Sequence, residues 1–109
     1  MKACVVFTTV GASFDAAALA KTLVEQRLAA CVNIVAEVRS IYRWNEGIDE
    51  EREQLLVIKT TEERVEALRE ALFARHPYDV PEFVVLRMDE LSEAYREWLI
   101  GNVGSRLSS

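Results

Sequence analysis

Glycine and proline are scarce in this chain of 109 residues, which has four glycines and two prolines. Half of the residues are hydrophobic and 28% are charged, so the composition excludes a collagen-like, low-complexity or disordered protein. The glycine-dependent motifs GxSxG, GxGxxG and the P-loop do not occur, which leaves the common hydrolase and nucleotide-binding signatures without support. The length predicts a single domain over residues 1–109, with an ordered core at about residues 3–100.

Basic residues are too few and too scattered to form a surface for nucleic acid. The chain has 13 Lys and Arg against 18 Asp and Glu, a formal net charge of −5, and an acidic surface repels a phosphate backbone. An apolar run long enough to span a membrane is also lacking, as is a secretory signal with its apolar core and cleavage site. These absences predict a cytoplasmic protein with neither a nucleic acid nor a membrane as its partner.

Cysteine and histidine are equally rare, with two cysteines and one histidine. Cys4 and Cys31 lie in apolar runs without CxxC spacing, which is typical of reduced, buried thiols. His76 ends a predicted helix, and we interpret it either as a capping or packing residue or as a ligand. A metal site there would need further donors, such as Glu82 or Asp79 and Cys31. Catalysis by a Cys31–His76 pair has little support, because no helix N-terminus activates the thiol.

The hydropathy pattern predicts the order β-α-β-β-α-β, followed by a third helix. The predicted strands are residues 3–9, 31–44, 48–59 and 82–88. The predicted helices begin after Ser13, at a capping box formed by Thr60 and Glu63, and after Ser92. This order predicts an α+β fold, a ferredoxin-like βαββαβ sandwich with a long central β-hairpin and an extra C-terminal helix.

The central hairpin is too long for the rest of the domain. A strand over residues 31–44 is about 45 Å long, whereas a compact domain of this size has a radius of gyration of about 13 Å. Its turn, Asn45-Glu46-Gly47, places Gly47 where positive φ is allowed. The distal half carries apolar residues such as Ile41 and Ile48, which predicts a closed homo-oligomer in which each hairpin docks on a neighbour. The alternative is a bent hairpin that folds back on its own domain.

Charged residues of the third predicted strand have two interpretations. The carboxylates at residues 49–51 are typical of a solvated strand end that discourages edge pairing. Lys59 ends the apolar half of the same strand, and it either extends its ammonium to water or binds an anion at the mouth of a pocket.

Five motifs occur in one order over about residues 3–100. They are Ala30-Cys31-Val32-Asn33-Ile34, Ser40-Ile41-Tyr42-Arg43-Trp44, Leu56-Val57-Ile58-Lys59-Thr60, His76-Pro77-Tyr78-Asp79-Val80-Pro81-Glu82 and Tyr95-x-x-Trp98-Leu99. In this order and spacing the chain closely resembles the CutA divalent-cation tolerance proteins. The resemblance implies a cytoplasmic homotrimer assembled through intersubunit strand pairing, with no enzymatic activity and a link to tolerance of copper and other divalent metals.

The resemblance also implies candidate metal ligands. The family's HPY histidine corresponds to His76, so a copper or other divalent metal site is expected there, with Glu82 and Cys31 as further candidates and no obligatory cofactor. Some members have two further donors, a cysteine in the first strand and a histidine just before the HPY histidine. In this chain these positions are Thr8 and Arg75. Since neither side chain replaces a thiolate or an imidazole, metal binding is expected to be weak.

The family's cleft between subunits corresponds to six positions of this chain. They are Tyr42, Trp44, Lys59, His76, Tyr78 and Glu82. Two functions follow from the resemblance. The first is a non-enzymatic, trimeric protein of divalent-cation tolerance, and the alternative is a sensor, similar to the PII signal proteins, that binds a small anionic ligand with Lys59 and His76.

Overall fold

The computed structural model describes residues 2–104, so residues 1 and 105–109 of the predicted domain lie outside the described part. The elements are β1 (Ala3–Gly11), α1 (Ala16–Glu25), β2 (Cys31–Trp44), β3 (Gly47–Thr61), a 3₁₀ helix (Glu62–Arg64), α2 (Val65–Arg75), β4 (Val84–Arg87) and α3 (Glu93–Gly101). Within the described range, four strands form one antiparallel sheet in the order β2-β3-β1-β4. This architecture confirms the predicted α+β, ferredoxin-like fold with its long hairpin and third helix.

The hydrophobic core lies between the sheet and the helices α1 and α2. Burial alternates along β1, because successive side chains of a strand point to opposite faces. The core side chains include Val6, Val10, Leu19, Leu23, Leu56, Ile58, Leu68 and Leu72. Each fully buried aliphatic side chain stabilises the fold by about 1.5–3 kcal/mol. No helix within residues 2–104 is both long and apolar enough to cross a membrane.

The start of α1 differs from the sequence prediction. Asp15, and not Ser13, is the N-cap, and its Oδ1 accepts a hydrogen bond of 3.1 Å from the backbone N–H of Ala18. Serine and aspartate can both cap a helix. Asp15 is the cap here because it directly precedes Ala16, the first residue of α1. For α3 the predicted cap is confirmed, because the Ser92 hydroxyl accepts a hydrogen bond from the N–H of Tyr95.

The end of β3 also differs from the prediction. The strand continues to Thr61 and pairs Thr60 with Cys4 of β1. The Thr60 hydroxyl is buried and donates a 2.7 Å hydrogen bond to the carbonyl of Leu28, so it does not cap a helix. The predicted capping box of Thr60 and Glu63 is therefore wrong, because pairing in the sheet overrides the local cap signal.

The hairpin turn has two residues, Asn45 and Glu46, between the paired Trp44 and Gly47. Their φ angles are 46° and 64°, whereas the sequence predicted positive φ at Gly47. Positive φ at both central positions is the signature of a type I′ turn, whose twist matches that of the flanking strands. Strand twist thus places a glutamate in a conformation that glycine adopts more easily.

The distal half of the hairpin projects beyond the packed core, as predicted. The described residues extend over 48 × 27 × 22 Å, and Ile41 and Ile48 are 64% and 62% exposed. The alternative of a hairpin folded back on its own domain is wrong, because folding back would have buried these side chains. A register shift between Val35 and Val38 marks a β-bulge where the ribbon leaves the core.

The face of the sheet opposite the helices, which we call the open face, is also apolar. Residues directly opposite each other on antiparallel strands share a face, so Phe7 of β1 lies beside Val57 of β3, and Thr9 lies beside Leu55. These side chains are only half-buried. At one edge of this sheet, β4 is shorter than the predicted strand over residues 82–88, and all four of its residues are exposed.

Candidate functional site

A groove of about 740 Å³ lies between the distal hairpin and the segment 78–82. Five carboxylate side chains line it, and we call it the acidic groove: Asp49, Glu51, Glu53, Asp79 and Glu82. The first three occupy alternate positions of β3, so they point to the same face of the strand. Among its lining residues in the described part of the chain there is no Lys, Arg or His.

Glu53 forms the buried floor of the acidic groove. Its side chain is 7% exposed, and its Oε2 accepts a 2.6 Å hydrogen bond from the hydroxyl of Tyr78. Burial of Tyr78 is the main cause that raises its pKa, and the hydrogen bond to the Glu53 carboxylate is the second cause. Gly11 of β1 pairs with Glu53, and a Cβ atom there would lie 3.9 Å from the Tyr78 hydroxyl. A Cβ atom at Gly11 would thus meet that hydroxyl at an ordinary van der Waals distance.

Tyr42 and Trp44 form an aromatic wall on the hairpin side of the groove. Their rings meet edge to face, with centroids 6.5 Å apart. The hydroxyl of Tyr42 donates a hydrogen bond to Oε1 of Glu51, and this bond, with burial and nearby carboxylates, raises the pKa of Tyr42 to about 12. The groove therefore combines negative charge with exposed aromatic surface.

His76 lies behind the groove, at the edge of β1, and does not line it. Its Nε2 is 3.0 Å from the carbonyl oxygen of Thr9 and 3.3 Å from the hydroxyl of Thr8. Its Nδ1 accepts a 3.1 Å hydrogen bond from the N–H of Tyr78. A neutral imidazole with its proton on Nε2 satisfies these contacts, and burial lowers the pKa of His76. The pairing of β4 with β1 ends at Phe7. Beyond that point His76, and not a residue of β4, bonds to the carbonyl oxygen of Thr9.

Lys59 and Cys31 lie at the other end of the open face. The ammonium of Lys59 donates a hydrogen bond to Oδ1 of Asn33, and Sγ of Cys31 lies 3.9 Å from the same oxygen. Lys59 is six residues along β3 from Glu53, which corresponds to about 20 Å. The structure thus brings Tyr42, Trp44, Tyr78 and Glu82 together and separates Lys59 from them.

The two cysteines are both free thiols. Cys4 is fully buried, as predicted, and burial raises its pKa. The prediction that Cys31 is also buried is wrong, because Cys31 is only half-buried. Cys31 pairs with Lys59 and so faces the side of the sheet that the helices do not cover.

The candidate metal ligands do not form a coordination site in this structure. Cys31 lies at the far end of the open face, Glu82 lines the acidic groove, and both nitrogens of His76 have partners within the chain. Among residues 2–104, no three side chains of His, Cys, Asp or Glu converge as a metal site requires. The assignment of these residues as metal ligands stays a prediction.

The acidic row of β3, which is Asp49, Glu51 and Glu53, was not predicted from the sequence as part of a site. Asp49 and Glu51 are exposed, as expected of a solvated strand end, but they also line the groove. The available signal was their spacing of two residues opposite an aromatic strand, where Asp49 pairs with Tyr42. The burial of Glu53 depends on Tyr78, which comes from a distant segment.

Comparison with known proteins decides the family. Residues 4–102 match the family described as CutA1 divalent ion tolerance protein. The chain belongs to this family. Divalent-cation tolerance protein CutA of Thermus thermophilus is 48% identical over 100 residues, which are 92% of this chain and 97% of that protein. Protein CutA, chloroplastic, of Arabidopsis thaliana is 42% identical over 87% of this chain, which spans 52% of that relative.

Solved structures of CutA proteins share the fold. CutA1 from Oryza sativa superposes with a TM-score of 0.92 at 37% identity, covering 96% of both chains. The Cut A1 protein from Thermus thermophilus superposes with a TM-score of 0.89 at 47% identity, covering 94% of this chain and 99% of that one. These similarities confirm both the family and the fold that the motifs predicted.

Proposed function

We propose that this CutA chain acts as a homotrimer in the tolerance of divalent cations such as copper, without catalysing a reaction. Membership of the CutA1 divalent ion tolerance family supports the link to divalent cations. The observation that supports assembly is the hairpin, whose distal half projects from the core with its apolar side chains uncovered.

Assembly would cover three features that a lone chain leaves exposed. Ile41 and Ile48 are on the projecting ribbon, Phe7 and Leu55 are on the open face, and the strands β2 and β4 have free edges. Free edges with apolar side chains favour pairing with another chain. A closed ring satisfies these edges without leaving one open, and the number of three comes from the resemblance to the CutA proteins.

We expect this chain to bind divalent metal ions only weakly. A tight copper site needs several convergent donors, and residues 2–104 do not offer three. His76 could bind a metal only by giving up a hydrogen bond to Thr9 or from Tyr78. We therefore expect divalent ions to bind mainly through exposed carboxylates, with the low affinity of hydrated ion pairs.

The alternative function, a sensor of a small anion, has one supporting observation. The Lys59 ammonium faces the open side of the sheet, and its hydrogen-bond partner there is the neutral amide of Asn33. An anion could bind this ammonium between subunits. The acidic groove does not favour an anion, because five carboxylate side chains line it and none of its lining residues in the described part of the chain is Lys, Arg or His.

Two measurements test the proposed function. Sedimentation equilibrium should give a particle of three times the chain mass of 12.4 kDa, and a stable monomer would contradict assembly. Deletion of the gene in its host should lower the copper concentration that stops growth, and a plasmid copy should restore tolerance. Unchanged growth of the deleted strain over a copper and zinc series would contradict the link to cation tolerance.

Calorimetric titration with Cu²⁺ tests the metal ligands. We expect weak binding that is the same in the wild type and in His76→Gln, a variant that can still donate to Thr9. Tight binding that is lost in His76→Gln would contradict weak binding and establish His76 as the ligand predicted from the sequence.

A further inference from the structure

Arg27 occupies a backbone position that usually belongs to glycine. At the end of α1, the N–H of Arg27 donates a 3.0 Å hydrogen bond to the carbonyl of Val24. The next N–H, that of Leu28, donates a 3.0 Å bond to the carbonyl of Leu23. These two bonds form a Schellman motif, in which the residue at the position of Arg27 is left-handed and is most often glycine. The φ angle of Arg27 is 58°, so its Cβ atom is strained there, and the end of α1 does not explain an arginine.

The side chain of Arg27 holds the end of α3 instead. Its Nε donates a 2.6 Å hydrogen bond to the carbonyl of Gly104, and its Nη2 donates a 2.9 Å bond to the carbonyl of Gly101, the last residue of α3. The backbone carbonyl of Arg27 accepts a third bond, of 2.9 Å, from the N–H of Gly104. A cation that bonds to the last carbonyls of a helix also interacts favourably with the helix dipole. The arginine therefore stabilises α3 at the expense of the end of α1.

The helix α3 packs on the sheet through a small cluster of its own. The open face lies opposite α1 and α2, and Ala3 is on it, because Ala3 and Phe7 are four residues apart on β1. The buried side chain of α3 is Leu99, which lies in one cluster with Ala3 and Val103. This cluster is separate from the core between the sheet and the helices α1 and α2. The helix α3 therefore lies over one end of the open face and buries little apolar surface there.

A buried polar group at this end of the sheet opposes the packing of α3. Thr61 pairs with Ala3 and therefore shares its face. It is 1% exposed, and within residues 2–104 its hydroxyl has no hydrogen-bond partner. A buried hydroxyl without a partner costs free energy, and water would hydrate it if α3 moved away. Since the apolar cluster is small and this cost opposes it, the bonds of Arg27 are a large part of what holds α3.

We propose that α3 opens and closes over this end of the sheet as a separate unit, and that Arg27 is the latch that keeps it closed. Opening breaks the bonds from Arg27 to Gly101 and Gly104 and exposes Leu99, whereas the core beneath α1 and α2 stays folded. Local opening of this kind is usual for elements that bury few apolar side chains. The inference does not depend on divalent-cation tolerance, and it applies to the assembled protein as well as to a single chain, because the bonds of the latch all lie within one chain.

Hydrogen exchange of the full-length, assembled protein, measured by mass spectrometry, tests the proposal. The amides of α3 should exchange faster than those of β1 and β3 in the wild type. Arg27→Gly should speed exchange in α3 about tenfold or more, because it removes two hydrogen bonds from a charged donor. Exchange in β1 and β3 should change much less. Glycine relieves the strain at the end of α1, and this gain offsets the lost bonds in global unfolding but not in the opening of α3.

A second variant and a control complete the test. Gly104→Ala acts on the other partner of the latch: the φ angle of Gly104 is 81°, and an added Cβ atom has nothing within 4 Å, so alanine introduces strain without a clash or a change of charge. It should also speed exchange in α3, and it keeps the test valid if Arg27→Gly does not fold. Arg75→Gln is the control, because it removes the same charge as Arg27→Gly from an arginine that bonds within its own helix to the carbonyl of Ala71. It should leave exchange in α3 unchanged.

Three outcomes would overturn the inference. The first is exchange in α3 that neither Arg27→Gly nor Gly104→Ala accelerates, as expected if the core or a neighbouring chain holds the helix. The second is equal acceleration in α3 and in β1 and β3, which would show that α3 unfolds only with the core. The third is equal acceleration in Arg75→Gln, which would assign the effect to net charge. None of them bears on the sedimentation or growth measurements, so failure of this inference is distinct from failure of the proposed function.

Discussion

The Tyr78 hydroxyl lies 2.6 Å from Oε2 of Glu53, and this hydrogen bond joins the segment after α2 to the middle of β3. Glu53 is buried, so the bond replaces hydration that the carboxylate has lost. The same segment is held a second time by His76, which bonds to Thr9 of β1. Together these contacts place Tyr78 and Asp79 beside the acidic row of the hairpin.

Tyr78→Phe should destabilise the protein by about 1–3 kcal/mol, because it leaves the buried Glu53 carboxylate without its hydrogen-bond donor. Urea unfolding at a fixed protein concentration measures the loss. The matched control is Tyr42→Phe, which removes the bond to Glu51. It should leave the free energy of unfolding nearly unchanged, since Glu51 is exposed and water then solvates its carboxylate. Equal losses in the two variants would contradict the role of burial.

Acidification should destabilise the fold through His76. Its pKa is lowered in the folded protein by burial, so the unfolded chain binds the proton more readily and stability rises with pH. The contribution is fully present above the unfolded pKa of about 6.5 and is lost as the pH falls through the lowered folded value. Unfolding curves of the wild type and His76→Gln at several pH values measure it. The variant should lose less stability in this window, and parallel curves would exclude His76 as the cause.

Glu46→Gly should stabilise the hairpin by about 1 kcal/mol. Glu46 has a φ angle of 64°, where a residue with a Cβ atom is strained by about 1–2 kcal/mol, and Asn-Gly is the favoured type I′ pair. Thermal unfolding measures the gain. Gly47→Ala is the control, because φ at Gly47 is not positive and its Cβ would meet the Trp44 carbonyl oxygen at an ordinary 3.7 Å. A gain from Gly47→Ala but not from Glu46→Gly would contradict the assigned turn.

Ile48→Asp should weaken assembly by about 2 kcal/mol per chain or more, because it replaces an exposed apolar side chain of the projecting ribbon with a charge. Sedimentation velocity over a dilution series should show dissociation at higher concentration than for the wild type. Glu46→Gln at the tip of the ribbon is the control and should dissociate like the wild type. An unchanged dilution series for Ile48→Asp would show that this face is not an interface.

Residues close in sequence were sufficient to predict most of the elements. The strand β1, the length of β2 and the Ser92 cap depend on local patterns, and the structure confirms them. The prediction failed where a distant partner intervened. Thr60 has a good local cap signal, but pairing with Cys4 keeps it in the sheet.

The predicted cleft between subunits stays a prediction, and within one chain its six members lie in three different places. Tyr42, Trp44, Tyr78 and Glu82 do line one groove. Lys59 lies at the other end of the sheet beside Asn33, and His76 lies behind the groove. Motif similarity shows which residues correspond to those of the family, but the register of β2 against β3 decides which of them meet.

The sequence by itself determined the order of elements, the excess length of the hairpin and the family, since these depend on local pattern and on motifs in register. Only the tertiary structure decided that Glu53 is buried and that the groove is acidic. The physical reason is that burial and charge pairing depend on packing between segments distant in the chain. Tyr78 and Glu53 are 25 residues apart, and only the folded sheet places one beside the other.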